Sequence, residues 1–421
     1  MERYSEYKDS GVQWLGEIPG HWEIKHLRSF LKMFSEKGHG DAQLLSVTRE
    51  QGVITRDKDN KEENHNFVPD DLSGYKYVET GDFVVNKMKA WQGSYDVSKY
   101  NGIVSPAYFT CKLDGVDKDF FSKAIRSKSY IGFFASYSKG IRVGQWDLEP
   151  EALKSIPFFL PPLPEQKKIV AYIDSKILKI DAYVAERERE LQLLNELKGS
   201  EIANVVTRGL NANVKMKESK TPFFGIIPEH WEERKMKYCF NERSEKNHPD
   251  EPILCATQSQ GVIPQSLYQN RVVVVNKGFE GLKFVKTGDF VISLRSFEGG
   301  IEYAYYQGII SAAYTILTPI DADNADYFKL LFKCYPFIQV LQTCVTGIRE
   351  GQNINYQMLG RKFIPVPPID EQRAIVAHIE NKCAKISSLI TKLEEEIDYL
   401  KEYKQRLIAD CVTGQVNVQN I

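Results

Sequence analysis

The sequence predicts an α+β chain built as a tandem repeat: two mostly-β heads, each followed by a long helix, with the helices joined along a coiled-coil seam. Three observations predict it. The first is repetition. Residues 18–23 read IPGHWE and residues 227–232 read IPEHWE, 209 positions later. TGDFVV (80–85) returns as TGDFVI (287–292) and KGIRVGQ (139–145) as TGIREGQ (346–352), each 207 positions on. PPLPEQKKIVAYI (161–173) returns as PPIDEQRAIVAHI (367–379), 206 on. Matches in one order at a nearly constant step mark a duplication. The second observation is short alternating apolar runs bounded by turn residues, such as YVETGDFVVNKM and FVKTGDFVISL, which read as strands. The third is a 4-3-4-3 apolar spacing after each PP-x-x-EQ phrase.

The elements follow in chain order. Residues 1–160 form the first head, 161–209 its helix, 210–366 the second head and 367–421 the second helix. Late in each head lies one amphipathic segment, DKDFFSKAIRSKSYIGFFASYS and NADYFKLLFKCYPFIQVLQTCV, read as a single helix that Pro336 bends in the second copy. The prolines then stop a strand and prepare a helix start at Glu-Gln. The first seam runs Ile173, Ile177, Ile180, Val184, Arg187, Leu191, Leu194 and Lys198. The second, 206 residues on, runs Ile379, Cys383, Ile386, Ile390, Leu393, Ile397, Leu400 and Lys404. A seam this long needs a partner, and the other copy's seam is the natural one; the alternative is two separate amphipathic helices, each covering its own head. Two paired helices of about 35–40 residues make a rod of roughly 55 Å, on the order of 16 base pairs of B-DNA. Cys383 stands where the first copy has isoleucine and softens the packing there.

Bulk properties narrow the function. At 421 residues, 42% hydrophobic and 26% charged, the chain suits two or three soluble domains. No apolar run approaches the roughly 18 residues that span a bilayer, and MERYSEYKDSGVQW lacks a signal-peptide core, so the expected address is the cytoplasm with no membrane partner. Seven cysteines without a CxxC pair fit core packing in a reducing compartment, with no metal site expected. No phosphate loop, dinucleotide fingerprint, nucleophile elbow or HExxH is present, and VPDD and HPDE lack a following nuclease (D/E)xK. The chain is expected to be no enzyme, to have no catalytic residue and to bind no cofactor itself. His21 and His230, inside the IPxHW phrases, are read as structural. A net charge of −1 counts mildly against nucleic acid.

Binding chemistry nevertheless recurs at matched places. KAWQG (89–93) aligns with RSFEG (295–299), expected on a hairpin tip or loop. Lys87, Lys89 and Arg295 suit phosphate or guanine, and Trp91 and Phe297 suit sugars or a thymine methyl. Gln92 suits adenine, whereas Glu298 suits the cytosine amino group. The other reading is a glycine turn with a buried aromatic and a solvated charge. Arg142, Gln145, Arg349 and Gln352, in the KGIRVGQ and TGIREGQ loops, carry donors compatible with phosphate or bases.

YKDSGVQWLGEIPGHWE, PPLPEQKKIVAYID and PPIDEQRAIVAHIE, on two heads with two similar helices, closely resemble the specificity subunits of type I restriction-modification systems. Lys8, Asp9 and Ser10 of the first phrase align with Lys217, Glu218 and Ser219, and Trp14 with Phe223. The resemblance implies that each head is a target-recognition domain reading half of a bipartite, asymmetric double-stranded DNA site. It implies that the helices form an antiparallel coiled coil that sets the gap and docks two modification (methyltransferase) subunits, with restriction (translocase/nuclease) subunits joining them. S-adenosylmethionine and ATP with Mg belong, in that scheme, to the partners. Recognition domains diverge freely, so the contact residues above rest on local chemistry alone. The competing class is a coiled-coil scaffold whose two β-rich heads bind proteins and not DNA.

Overall fold

The computed structural model describes residues 2–12, 15–57, 68–140, 146–268, 278–347 and 353–419, without the side chain of residue 324. The chain divides into two compact units, Met1–Arg187 with Glu395–Ile421, and Glu188–Glu394.

In the first unit a four-stranded antiparallel sheet has the order Leu31–Phe34, Phe109–Leu113, Phe83–Val85, Tyr95–Val97. The TGDFVV phrase supplies its third strand, with Phe83 opposite Cys111 and Val84 opposite Thr110. The repeated Asp82 is structural. Its Oδ2 accepts from the Glu79 amide at 2.8 Å, fixing the turn, and pairs with Lys112 at 3.0 Å. Glu23–His26, just after the IPGHW phrase, runs antiparallel to Pro157–Leu160, just before the long helix. The strand that opens the head therefore lies beside the strand that closes it.

The second unit repeats this plan. Its sheet has the order Phe240–Arg243, Thr315–Pro319, Phe290–Ile292, Glu302–Tyr303. Asp289 accepts from the Lys286 amide at 2.8 Å and from Thr318 at 2.7 Å, and pairs with Arg243 at 3.1 Å. Glu232–Lys235 pairs with Phe363–Val366.

The amphipathic segment of each head is two helices and not one. In the first head Lys118–Ile125, capped by Asp117 through the amides of Asp119 and Phe120, ends at Arg126, and Lys128–Tyr137 restarts after an extended Ser127. In the second, Ala325–Leu331 is followed by Tyr335–Gln342. Pro336 sits in the first turn of that helix, where a missing N–H costs nothing, so it starts a helix where a bend was expected. The break lets both apolar faces meet one core: Phe120, Phe121 and Phe134 around Phe158, and Phe328, Phe332 and Phe337 around Phe240 and Phe290.

The long helices run Leu163–Arg208 and Ile369–Val412, each starting two residues before its Glu-Gln. Every apolar seam position is buried or half-buried, while Leu178, Leu193, Leu197 and Leu389, off the seam, are exposed. Within each unit the helices pair antiparallel. In the first, Lys404 Nζ reaches Asp181 Oδ1 at 2.6 Å and Tyr183 donates to Glu396 at 3.0 Å. In the second, Lys198 meets Ser387 at 2.8 Å and Lys382 meets Glu201 at 2.6 Å. Helix ends enter the head cores. Ile169, Ile173, Leu407, Cys411 and Val412 pack around Trp22, and Val205, Val206, Ile375 and Ile379 around Trp231.

Candidate nucleic-acid interface

The KAWQG and RSFEG segments connect hairpin strands in the two sheets. In the first head Lys87–Gln92 forms a 3-10 helix between Phe83–Val85 and Tyr95–Val97, closed by Gly93 at φ +92°. In the second, Ser296–Gly299 forms one helical turn between Phe290–Ile292 and Glu302–Tyr303, closed by Gly300 at φ +84°. Lys89, Arg295 and Glu298 are exposed. Gln92 is half-buried. Lys87 is held by Asp147 Oδ2 at 2.8 Å. The aromatic residues turn inward: Trp91 is half-buried with its ring centroid 5.2 Å from that of Trp146, and Phe297 packs on the second core.

Arg142, Gln145, Arg349 and Gln352 lie outside the described residues, as does Trp14. The loop bases are described. Lys139 and Asp147 exchange backbone hydrogen bonds of 2.9 and 2.8 Å, and Val345–Thr346 pairs with Asn353–Ile354. The first base stands against the KAWQG segment through Lys87–Asp147, Trp91–Trp146 and the Leu148 amide on the Lys87 carbonyl at 3.1 Å. Two stretches chosen separately in the sequence thus adjoin in the first head.

Two further constellations recur in both heads. The first is a cation seated on a buried acid. Arg126 faces Asp96 at 3.4 Å and donates to the carbonyls of Tyr95 at 2.9 Å, Arg49 at 3.0 Å and Glu50 at 2.8 Å. Lys333, 207 residues on, pairs with Glu302 and donates to the carbonyls of Gly299 at 2.9 Å and Gln258 at 3.2 Å. Burial pushes both carboxyl groups above their ordinary range. The cation, with Ser122 and a backbone amide at Asp96, opposes that push. Each cation ties a hairpin turn to the sheet.

The second constellation explains the opening phrase of each copy. In the first unit the Glu165 carboxylate accepts from Trp22 Nε1 at 3.1 Å and Tyr4 Oη at 2.6 Å, and its other oxygen meets His21 Nε2 at 2.7 Å. Burial raises the Glu165 pKa, and hydrogen bonds from Tyr4, His21 and Trp22 outweigh it to leave the group below its ordinary value. In the second unit Glu371 meets His230 at 2.6 Å and Trp231 at 2.7 Å. Lys8 and Lys217 donate to the carbonyls of Trp22 and Trp231, the latter at 2.6 Å. IPxHW is therefore the socket for the glutamate of PP-x-x-EQ, in the first turn of the long helix, where a carboxylate also suits the helix dipole.

No family model matches the chain. It is 23% identical over 437 residues to the putative type I restriction enzyme MjaX specificity subunit of Methanocaldococcus jannaschii, covering 96% of both chains. It is 24% identical over 454 residues to the MjaVIII specificity subunit of the same organism, covering 100% of this chain and 99% of that one. The Escherichia coli EcoBI specificity subunit is 22% identical over 343 residues, 73% of this chain and 69% of that one. The chain is a homologue of the type I restriction enzyme specificity subunits. The α+β fold is shared with a chain from a solved structure on complex assembly and conformational transition of the type I R-M system, which matches with TM-score 0.66 at 16% identity, over 95% of this chain and 99% of that one.

For a specificity-subunit homologue, the residues that sequence reading missed are Asp96, Arg126, Glu302, Lys333, Glu165 and Glu371. The signal was available. Arg126 and Lys333 keep the 207-residue step of the flanking phrases, but acid and base lie far apart in sequence and change identity between copies. Among the described residues no three His, Cys, Asp or Glu side chains come together as a metal site, and no helix is long and apolar enough to cross a membrane.

Proposed function

We propose that this chain is the DNA-reading subunit of a type I restriction-modification complex. In this reading residues 1–160 and 210–366 act as two recognition domains, each reading one half of a bipartite, asymmetric site. The helices of 161–209 and 367–421 carry the modification subunits and fix the gap between the halves. Methyl transfer from S-adenosylmethionine and ATP-driven restriction occur on partner subunits, and this chain supplies recognition alone. The observation that carries the reading is duplication: one sheet order, one glutamate socket and one cation-tied turn occur twice in a chain that aligns end to end with named specificity subunits.

A salt titration tests the DNA role. Phosphate contacts release counterions, so the affinity of the chain with its modification subunit for a duplex should fall steeply and linearly on a log–log plot. A flat profile would favour the protein-binding scaffold.

A further inference from the structure

Each head carries a second hairpin tip, built on the cation and acid described above. In the second head, Leu254–Thr257 and Gly261–Pro264 pair, and the turn exposes Gln258, Ser259 and Gln260. The turn is held in three ways. Thr257 Oγ1 accepts from the Gln260 amide at 3.0 Å and donates to the Gly261 carbonyl at 2.9 Å. Gly261 has φ +75°, and a Cβ there would stand 2.7 Å from the Tyr303 carbonyl, so glycine is what lets the hairpin lie this close to the sheet. Lys333 fastens the Gln258 carbonyl from below.

This turn forms one wall of a cleft of about 550 Å³. Exposed Tyr305 also lines the cleft, its ring beside Gly261, and Lys329 stands 4.5 Å over the Tyr303 ring. Glu302, buried at the floor, has one carboxylate oxygen with no hydrogen-bond partner. Exposed amide side chains on a rigid turn, beside an aromatic ring, are groups that recognise a base edge, while Lys333 is engaged by Glu302 and two carbonyls and Lys329 by Asp326 at 2.8 Å.

We propose that the Gln258–Gln260 turn is a base-reading tip of the second head, selecting adenine through a glutamine amide, with Lys333 as its positioning residue. The inference rests on the DNA-reading function proposed above. A glutamine amide donates to adenine N7 and accepts from its N6 amino group, a pairing that guanine breaks because its O6 is an acceptor where adenine has a donor. The first head supplies the contrast. Its turn between Leu45–Thr48 and Gly52–Thr55 carries Arg49, Glu50 and Gln51, tied by Arg126 and closed by Gly52 at φ +69°. Arg49 in place of Gln258 suits guanine. One scaffold thus presents different base chemistry in the two heads.

The test uses the full chain with its modification subunit, mapping methylated adenines on a plasmid library of random sequence. The wild type should give a two-part motif. The double variant Gln258→Ala/Gln260→Ala alters exposed side chains only, and should lose discrimination at a position in one half by roughly tenfold or more. The other half should stay unchanged. Lys333→Met should loosen the same half, and Lys333→Arg, which copies the first head, should restore it. A double variant that keeps both halves, or relaxes both equally, overturns the inference while leaving the DNA-reading function standing. A wild-type complex with no defined motif overturns both.

Discussion

Glu165 shows most directly how a repeated phrase becomes a physical device. Its carboxylate ends the reach of Tyr4, His21 and Trp22 in the first unit, as Glu371 does for His230 and Trp231 in the second. The Glu165 pKa is lowered in the fold, so its stabilising contribution is fully present above the ordinary glutamate value and is lost as pH falls through the lowered one. Melting temperatures measured from about pH 7 down to about pH 3 should therefore fall on the acid side. Glu165→Gln should melt lower at neutral pH and show a shallower acid limb, and an unchanged acid limb would remove Glu165 as its source. The sequence marked the two histidines as structural because they hold the same place in the repeated IPxHW phrase. It did not give their partner, since 143 residues separate Trp22 from Glu165 and nothing in periodicity links them. Trp91 was legible as an aromatic but not in its direction: contact with Trp146 pulls it toward the head, leaving Lys89 as the solvent-facing group.

At the scale of elements, the long helices were the most legible part. The 4-3-4-3 spacing named positions that are all buried or half-buried, because only those positions stay on one face of a helix over several heptads. The antiparallel direction shows in pairs such as Lys404–Asp181, at the end of the seam, and Lys382–Glu201, on its flank. Those flanking pairs contribute little energy. Lys382→Ala should change unfolding free energy by less than about 1 kcal/mol, as exposed ion pairs do. Ile379→Ala, at a buried seam position inside the second core, should cost about 2–5 kcal/mol by chemical denaturation. A reversed order would move the energy from the seam to its flanks. The paired short helices were less legible, because a continuous amphipathic pattern does not reveal the extended Ser127 or the role of Pro336 as a helix start. The short strands were legible as strands, but their sheet order was not: Phe109–Leu113 lies between Leu31–Phe34 and Phe83–Val85, a pairing set by long-range packing. If the helices set the gap between half-sites, inserting seven residues into one of them should change the tolerated spacer or abolish assembly. Methylation at the original spacer would contradict that role.

For the whole molecule the duplication is the organising fact. Each unit has its own sheet, core and glutamate socket, and each core takes in the beginning of one long helix and the end of the other. Neither head is therefore complete as the stretch of sequence between two repeated phrases. The first unit includes Glu395–Ile421, where the Asn417 amide donates to the Glu2 carbonyl at 2.9 Å. Near-neutral net charge counts mildly against a nucleic-acid partner, and the proposed DNA-reading function rests instead on repetition and on the end-to-end relationship to named specificity subunits. The measurement that tests the central claim most directly is a map of methylated adenines in DNA exposed to this chain with its modification subunit. The account predicts a two-part asymmetric motif with a fixed gap that disappears when this chain is left out. A stable complex of the two proteins that methylates no defined motif, or one whose motif is unchanged without this chain, would contradict it.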